Sequence, residues 1–122
     1  MQKIVQISYS KDSNKSIDNL PKCLKKDLYQ FQKEGVAFGL NKCGRLLLGD
    51  EMGVGKTIQA IALCSLYKEN WPALIICPPS LKFNWRAELV KWLGKDGLSR
   101  DSVQILSSRN ESIYKMSKFI IG

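Results

Sequence analysis

Eight consecutive residues carry the densest chemistry in this sequence: Asp50-Glu51-Met52-Gly53-Val54-Gly55-Lys56-Thr57. Backbone N–H groups can wrap a phosphate chain only where no side chains intrude, and Gly53 and Gly55 provide that opening. A helix that starts where such a turn ends offers its positive N-terminal end to the same phosphates. Lys56 then supplies a point charge to the β and γ phosphates of a nucleotide, and the Thr57 hydroxyl can ligate Mg²⁺. The general phosphate-loop pattern asks for glycine at position 50, and this chain has Asp50 there.

Two further groups have residue types suited to binding. Gln32 stands in Leu28-x-x-Phe31-Gln32-x-x-Gly35-Val36. A carboxamide donates and accepts at once, as adenine's N6 and N7 require, while the plainer reading is an exposed helical glutamine. Downstream, Ser80 and Lys82 lie in Pro78-Pro79-Ser80-Leu81-Lys82-Phe83-Asn84-Trp85. Ser80 and the N–H groups of a helix start there can hold a backbone phosphate, and Lys82 adds a charge. Ser80 also reads as an N-cap, and Trp85 as a core residue in one stripe with Leu81, Leu89 and Trp92.

The surrounding patterns indicate which elements must hold these residues. Residues 1–19 open with a short alternating stretch, Ile4 to Tyr9, and continue into a polar run that reads as a flexible lead-in. Leu24, Leu28 and Phe31 fall at helical spacing, and a second helical stretch from Lys33 to Cys43 ends at Gly44. The apolar runs Arg45–Gly49 and Ala73–Cys77 flank an apolar helix from Thr57 to Tyr67. Runs without alternation suit parallel strands covered on both faces, so strand, helix and strand predict a βαβ unit. Val103 to Leu106 and Phe119 to Ile121 predict two more short strands. The expected fold class is α/β with a mostly parallel sheet.

Composition narrows the function classes. The chain has 122 residues, 44% hydrophobic and 25% charged, enough for one packed core. No apolar run approaches the roughly 20 residues that span a bilayer, and the N-terminus has no signal-peptide pattern. The absence of histidine excludes His-based metal sites and His general bases. Cys23, Cys43, Cys64 and Cys77 form no C-x-x-C pair and read as reduced intracellular thiols. A net charge of +8 fits contact with a polyanion or a solvated lysine-rich surface equally well.

Gly49 to Ala60, with its Asp-Glu-Met-Gly-x-Gly-Lys-Thr core and the following Ile58-Gln59-Ala60, resembles motif I of Swi/Snf-type superfamily-two helicase-like ATPases. The segment around Gln32 resembles the family's Q-motif, and Pro78 to Trp85 resembles its motif Ia, which touches the DNA backbone. Gly44–Leu48, Tyr67–Pro72 and Ser80–Trp85 together look like the HepA-related annealing helicases, which rewind DNA at stalled forks.

This resemblance implies a RecA-like P-loop three-layer lobe, of which residues 20–122 are the N-terminal part of lobe one. It implies ATP and Mg²⁺ as cofactors, double-stranded or forked DNA as partner, and an intracellular, nuclear protein. The ATP-binding set is then Gln32, Asp50, Glu51, Met52, Gly53, Val54, Gly55, Lys56 and Thr57, with Lys56 catalytic, Thr57 on the metal, and Ser80 and Lys82 on DNA. The family's second acidic Asp-Glu box has no counterpart here, because Asp50-Glu51 already belongs to motif I. The remainder of lobe one and the whole of lobe two are expected from a longer parent chain, and this segment alone is expected to be inactive. Two alternatives stay open: another P-loop enzyme such as a nucleotide kinase, and a non-catalytic truncated fragment.

Overall fold

A computed structural model describes residues 16–47, 56–108 and 111–122. The chain divides into two compact units, Met1–Leu66 and Tyr67–Gly122.

In the first unit, helix α1 (Lys22–Asp27) is followed by α2 (Gln30–Asn41) and α3 (Lys56–Ser65). The expected continuous stripe through Leu24, Leu28 and Phe31 is broken. Leu28 and Tyr29 are extended, at φ −73°, ψ 131° and φ −69°, ψ 160°, so α2 begins afresh at Gln30. Leu24 and Leu28 are buried, but Phe31 is 49% exposed and stacks on exposed Tyr29 with ring centroids 6.1 Å apart. The restart is fixed by Gln32, whose Oε1 accepts from the Tyr29 backbone N–H at 2.9 Å. A glutamine at the third helical position closing back on the N-cap N–H is half of a capping box.

The end of α2 also differs from expectation. Gly44 N–H donates to the Gly39 carbonyl at 2.7 Å and Cys43 N–H to Leu40 at 3.1 Å. Those bonds make a Schellman ending, in which the residue before the last takes the left-handed conformation. That residue is Cys43, at φ 54°, with Gly44 following at φ 78°. Gly44 therefore assists the stop, while a cysteine adopts a conformation that L-residues enter at a cost. Helices α2 and α3 pack closely at Gly39, where an added Cβ would lie 2.9 Å from a methyl of Leu63 and 2.9 Å from one of Leu46.

The predicted strand at Arg45–Gly49 is not found where it can be seen. Arg45 to Leu47 is neither helix nor strand, and Leu48 and Gly49 lie outside the described residues, as does Ile4 to Tyr9.

The second unit is α/β. Strands β1 (Ala73–Ile75), β2 (Val103–Ile105) and β3 (Phe119–Ile121) form a parallel sheet in the order β1-β3-β2, with helix α4 (Lys82–Leu93) between β1 and β2 in the chain. The central strand β3 is buried at all three residues, as a parallel strand covered on both faces should be. The outer strand β1 departs from that rule, because Leu74 is 63% exposed. Trp71 leans on Phe119 with ring centroids 4.7 Å apart. On α4 the fully buried residues are Leu89 and Leu93, one turn apart. Trp85 and Trp92 are half-buried, Trp92 donating Nε1–H to Glu88 Oε2 at 2.9 Å, and Leu81 is exposed.

Gln104 of β2 is buried and organises the stretch that returns to β3. Its Nε2 donates to the Ser112 carbonyl at 2.7 Å. Its Oε1 accepts from Tyr114 N–H at 2.9 Å and from Ser117 Oγ at 3.0 Å. Replacing it by leucine leaves these loop groups without the partner they have. Gln104→Leu is therefore expected to lower stability by about 1–3 kcal/mol. Urea titration of both proteins checks this, and an unchanged midpoint would remove Gln104 as the loop's anchor.

Candidate nucleotide and DNA-contact site

The first six residues of the proposed phosphate loop, Asp50, Glu51, Met52, Gly53, Val54 and Gly55, lie outside the described residues. The structure takes up the motif at its last two positions. Lys56 is the first residue of α3 and Thr57 the second, both half-buried. Both residues are helical, and a lysine and a hydroxyl near a helix N-terminus suit a phosphate. The rest of α3 suits a packed helix, with Ile58, Gln59, Ile61, Ala62 and Ser65 buried. Among the described residues, no three His, Cys, Asp or Glu side chains cluster to hold a metal. The Thr57 hydroxyl at the helix start still fits Mg²⁺, an ion that takes few protein oxygens and completes its shell with waters and phosphates.

Gln32 belongs to the same unit, one turn into α2. It is buried, 5% exposed, so the plain reading of a solvated helical glutamine does not hold. A backbone N–H demands an acceptor, so the bond to Tyr29 assigns which end of the amide is oxygen. Exposed Tyr29 and Phe31 stand beside it.

Ser80 and Lys82 belong to the second unit. Ser80 was expected to cap the helix after Pro79, and the structure corrects this. Pro79–Leu81 winds a 3₁₀ turn closed by Leu81 N–H on the Pro78 carbonyl at 2.9 Å. The helix proper therefore starts at Lys82, with Leu81 in the cap position and no side-chain cap. Ser80 is exposed on that turn. Lys82 is half-buried and its Nζ donates to the Leu106 carbonyl at 2.7 Å, tying the start of α4 to the chain just after β2. Close by in sequence, the Ser107 hydroxyl donates to Glu111 Oε1 at 2.8 Å and holds the Glu111 carboxyl below its usual range. The Lys82 charge acts in the same direction.

The four cysteines are half-buried and not joined in disulfides, and burial pushes the Cys64 thiol up. Two working residues escaped the sequence reading. The signal for Gln104 was a polar residue inside the apolar run Val103-Gln104-Ile105. The signal for the Tyr29 N–H was a glutamine three positions along.

Residues 3–119 match the SNF2-related domain. The chain belongs to that family. The DNA annealing helicase and endonuclease ZRANB3 of Bos taurus is 42% identical over 107 residues, covering 87% of this chain and 10% of that protein. The SWI/SNF-related matrix-associated actin-dependent regulator of chromatin subfamily A-like protein 1 of Xenopus laevis is 41% identical over 86 residues, covering 70% of this chain and 9% of its own length. The DNA repair protein rhp54 of Schizosaccharomyces pombe is 41% identical over 106 residues, covering 72% of this chain and 12% of that protein. The SNF2-related chain thus spans about a tenth of the first of these relatives.

The Lys82 tether has a measurable weight. Lys82→Met keeps the apolar stem and deletes the donor, so it is expected to cost about 1 kcal/mol, less than a fully buried charged hydrogen bond would. Denaturant unfolding checks this, and wild-type stability in the variant would reduce the Leu106 contact to an incidental one.

Proposed function

We propose that this SNF2-related chain is the ATP-binding front of a RecA-like lobe in a nuclear, DNA-dependent ATPase that translocates on double-stranded or forked DNA. The observation that carries the reading is the family match over residues 3–119, together with the helical placement of Lys56 and Thr57. The names of the relatives, a DNA annealing helicase and a DNA repair protein among them, support DNA as the partner and annealing or fork remodelling as the setting.

In this reading the loop from Asp50 to Gly55 lays backbone N–H groups along the phosphates of ATP. Lys56 stabilises the charge that gathers on the γ-phosphoryl group as it transfers to water. Thr57 would hold Mg²⁺, which would neutralise charge on the phosphates. Gln32 faces the adenine edge. Ser80 and Lys82 meet the DNA backbone, for which the ammonium of Lys82 keeps further donors beyond the one given to Leu106. The water-positioning acid and the arginine of the second lobe come from elsewhere in the parent, so this segment binds nucleotide without turning it over.

Phosphate release in the presence and absence of forked DNA tests the assignment. In the full-length protein Lys56→Ala is expected to lower DNA-stimulated hydrolysis by about 10²–10³-fold, the usual effect of removing one charge-stabilising donor. The 122-residue chain alone is expected to show none. Turnover by that chain that Lys56→Ala abolishes would mean that the catalytic set is complete without a second acidic box.

The DNA contact has its own readout. Lys82→Met in the full-length protein is expected to reduce the slope of log affinity against log salt by about 0.9, one phosphate's worth of released counterion. Affinity measured from low to moderate salt shows whether it does, and parallel lines for the two proteins would confine Lys82 to its tether.

A further inference from the structure

We propose that a cleft at the amino-terminal end of the sheet in the second unit is a docking socket for a protein partner that presents an aliphatic side chain next to a carboxylate.

Six residues line the cleft: Lys68, Trp71, Leu93, Asp96, Leu98 and Lys118. Lys68 and Trp71 come just before β1 and Lys118 just before β3. Leu93, Asp96 and Leu98 come from the end of α4 and the turn beyond it. The walls are apolar and fixed. Leu93 and Leu98 are buried, and the Trp71 ring is backed by Phe119, which has no exposed surface. At the cleft, Lys68 Nζ donates to Asp96 Oδ2 and ties the turn before β1 to the turn after α4.

Size narrows what can enter. The space between these side chains is about 70 Å³. A water takes roughly 30 Å³ of liquid and a dry cavity of roughly 150 Å³ accepts benzene. The cleft therefore has room for one branched aliphatic group and none for a nucleotide or a cofactor ring. Leucine and tryptophan walls favour such a group because it leaves water there.

Charge narrows it further. Two ammoniums and one carboxylate line the cleft, and Lys68 and Asp96 satisfy each other. The surplus charge is that of Lys118, which is exposed and makes no ion pair among the described residues. A carboxylate one residue from the inserted side chain complements it. A DNA phosphate would answer the same charge, but apolar walls give a sugar-phosphate chain nothing to bond. Position separates the two as well. Ser80 and Lys82 follow β1, and Lys82 bonds the Leu106 carbonyl just after β2. The three strands are parallel, so those residues lie at the carboxyl ends and the cleft at the opposite ends. A partner can be held in the cleft while the other end of the sheet carries DNA.

The experiment uses the full-length protein with fluorotryptophan built in at position 71 and follows its fluorine resonance. The probe is the peptide Gly-Ser-Leu-Glu-Ser-Gly, blocked at both ends, with two controls that carry glycine for the leucine or lysine for the glutamate. The first peptide is expected to shift the resonance with a dissociation constant in the millimolar range, about what one side chain and one exposed ion pair allow. The glycine control is expected to bind at least about tenfold more weakly, having no group to bury. Lys118 is exposed, so its replacement leaves the fold intact. Lys118→Arg is expected to keep the wild-type order of peptides. Lys118→Glu is expected to weaken the glutamate peptide about tenfold and to bind the lysine peptide better. No shift up to the solubility limit of the first peptide overturns the socket. Equal binding of the glutamate and lysine peptides, or an unchanged order in Lys118→Glu, overturns the acidic partner. A short DNA duplex that produces the same shift overturns the protein partner in favour of nucleic acid.

Discussion

A carboxamide taken out of water has to complete its hydrogen bonds inside the fold, and that demand shapes both units of this chain. In the first unit Gln32 meets it by accepting from the Tyr29 N–H, which separates α1 from α2 and sets the direction in which α2 leaves. In the second, Gln104 meets it three times over, and the stretch from Ser112 to Ser117 takes its course from those bonds before entering β3. An unsatisfied buried amide would cost more than either bond contributes, so the neighbouring backbone conforms to the side chain.

The arrangement around the nucleotide motif follows a similar economy. A phosphate loop needs a helix that stays in place. Helix α3, which carries Lys56 and Thr57, is held by a close approach at Gly39, where two leucine methyls occupy the space a side chain would need. The Schellman bonds at Cys43 and Gly44 then turn the chain out of α2 within two residues. The contacts that hold α3 therefore also hold Lys56 and Thr57 in place.

Part of this was legible in the residues. The phosphate-loop reading of Asp50 to Thr57 rests on glycine spacing, lysine and threonine, each with a separate chemical reason to be there, and of these only Lys56 and Thr57 lie among the described residues. The strands at Ala73, Val103 and Phe119 were legible as short, mainly apolar runs, and a mostly parallel sheet was expected from them. Phe31 was misplaced because helical spacing alone cannot register a break made by a side chain closing on the backbone. Ser80 lost its cap role because the two prolines before it favour a tight 3₁₀ turn, which moves the helix start to Lys82. Lys82's tether joins residues 24 apart in sequence, a pairing that no local pattern announces.

Strand β1 has a longer consequence. Among the described residues it is paired on one side only, and Leu74 and Ile76 beside that edge are 63% and 82% exposed. Exposed apolar side chains of this size favour association with other apolar surface. For the isolated chain this is a question of colloidal stability. The net charge of +8 keeps molecules apart at low ionic strength, and at 0.1 M salt that repulsion reaches only about 10 Å. A preparation that is clear in dilute buffer is therefore expected to turn cloudy as salt is added, with exposed Leu74 and Ile76 among the contacts through which molecules join.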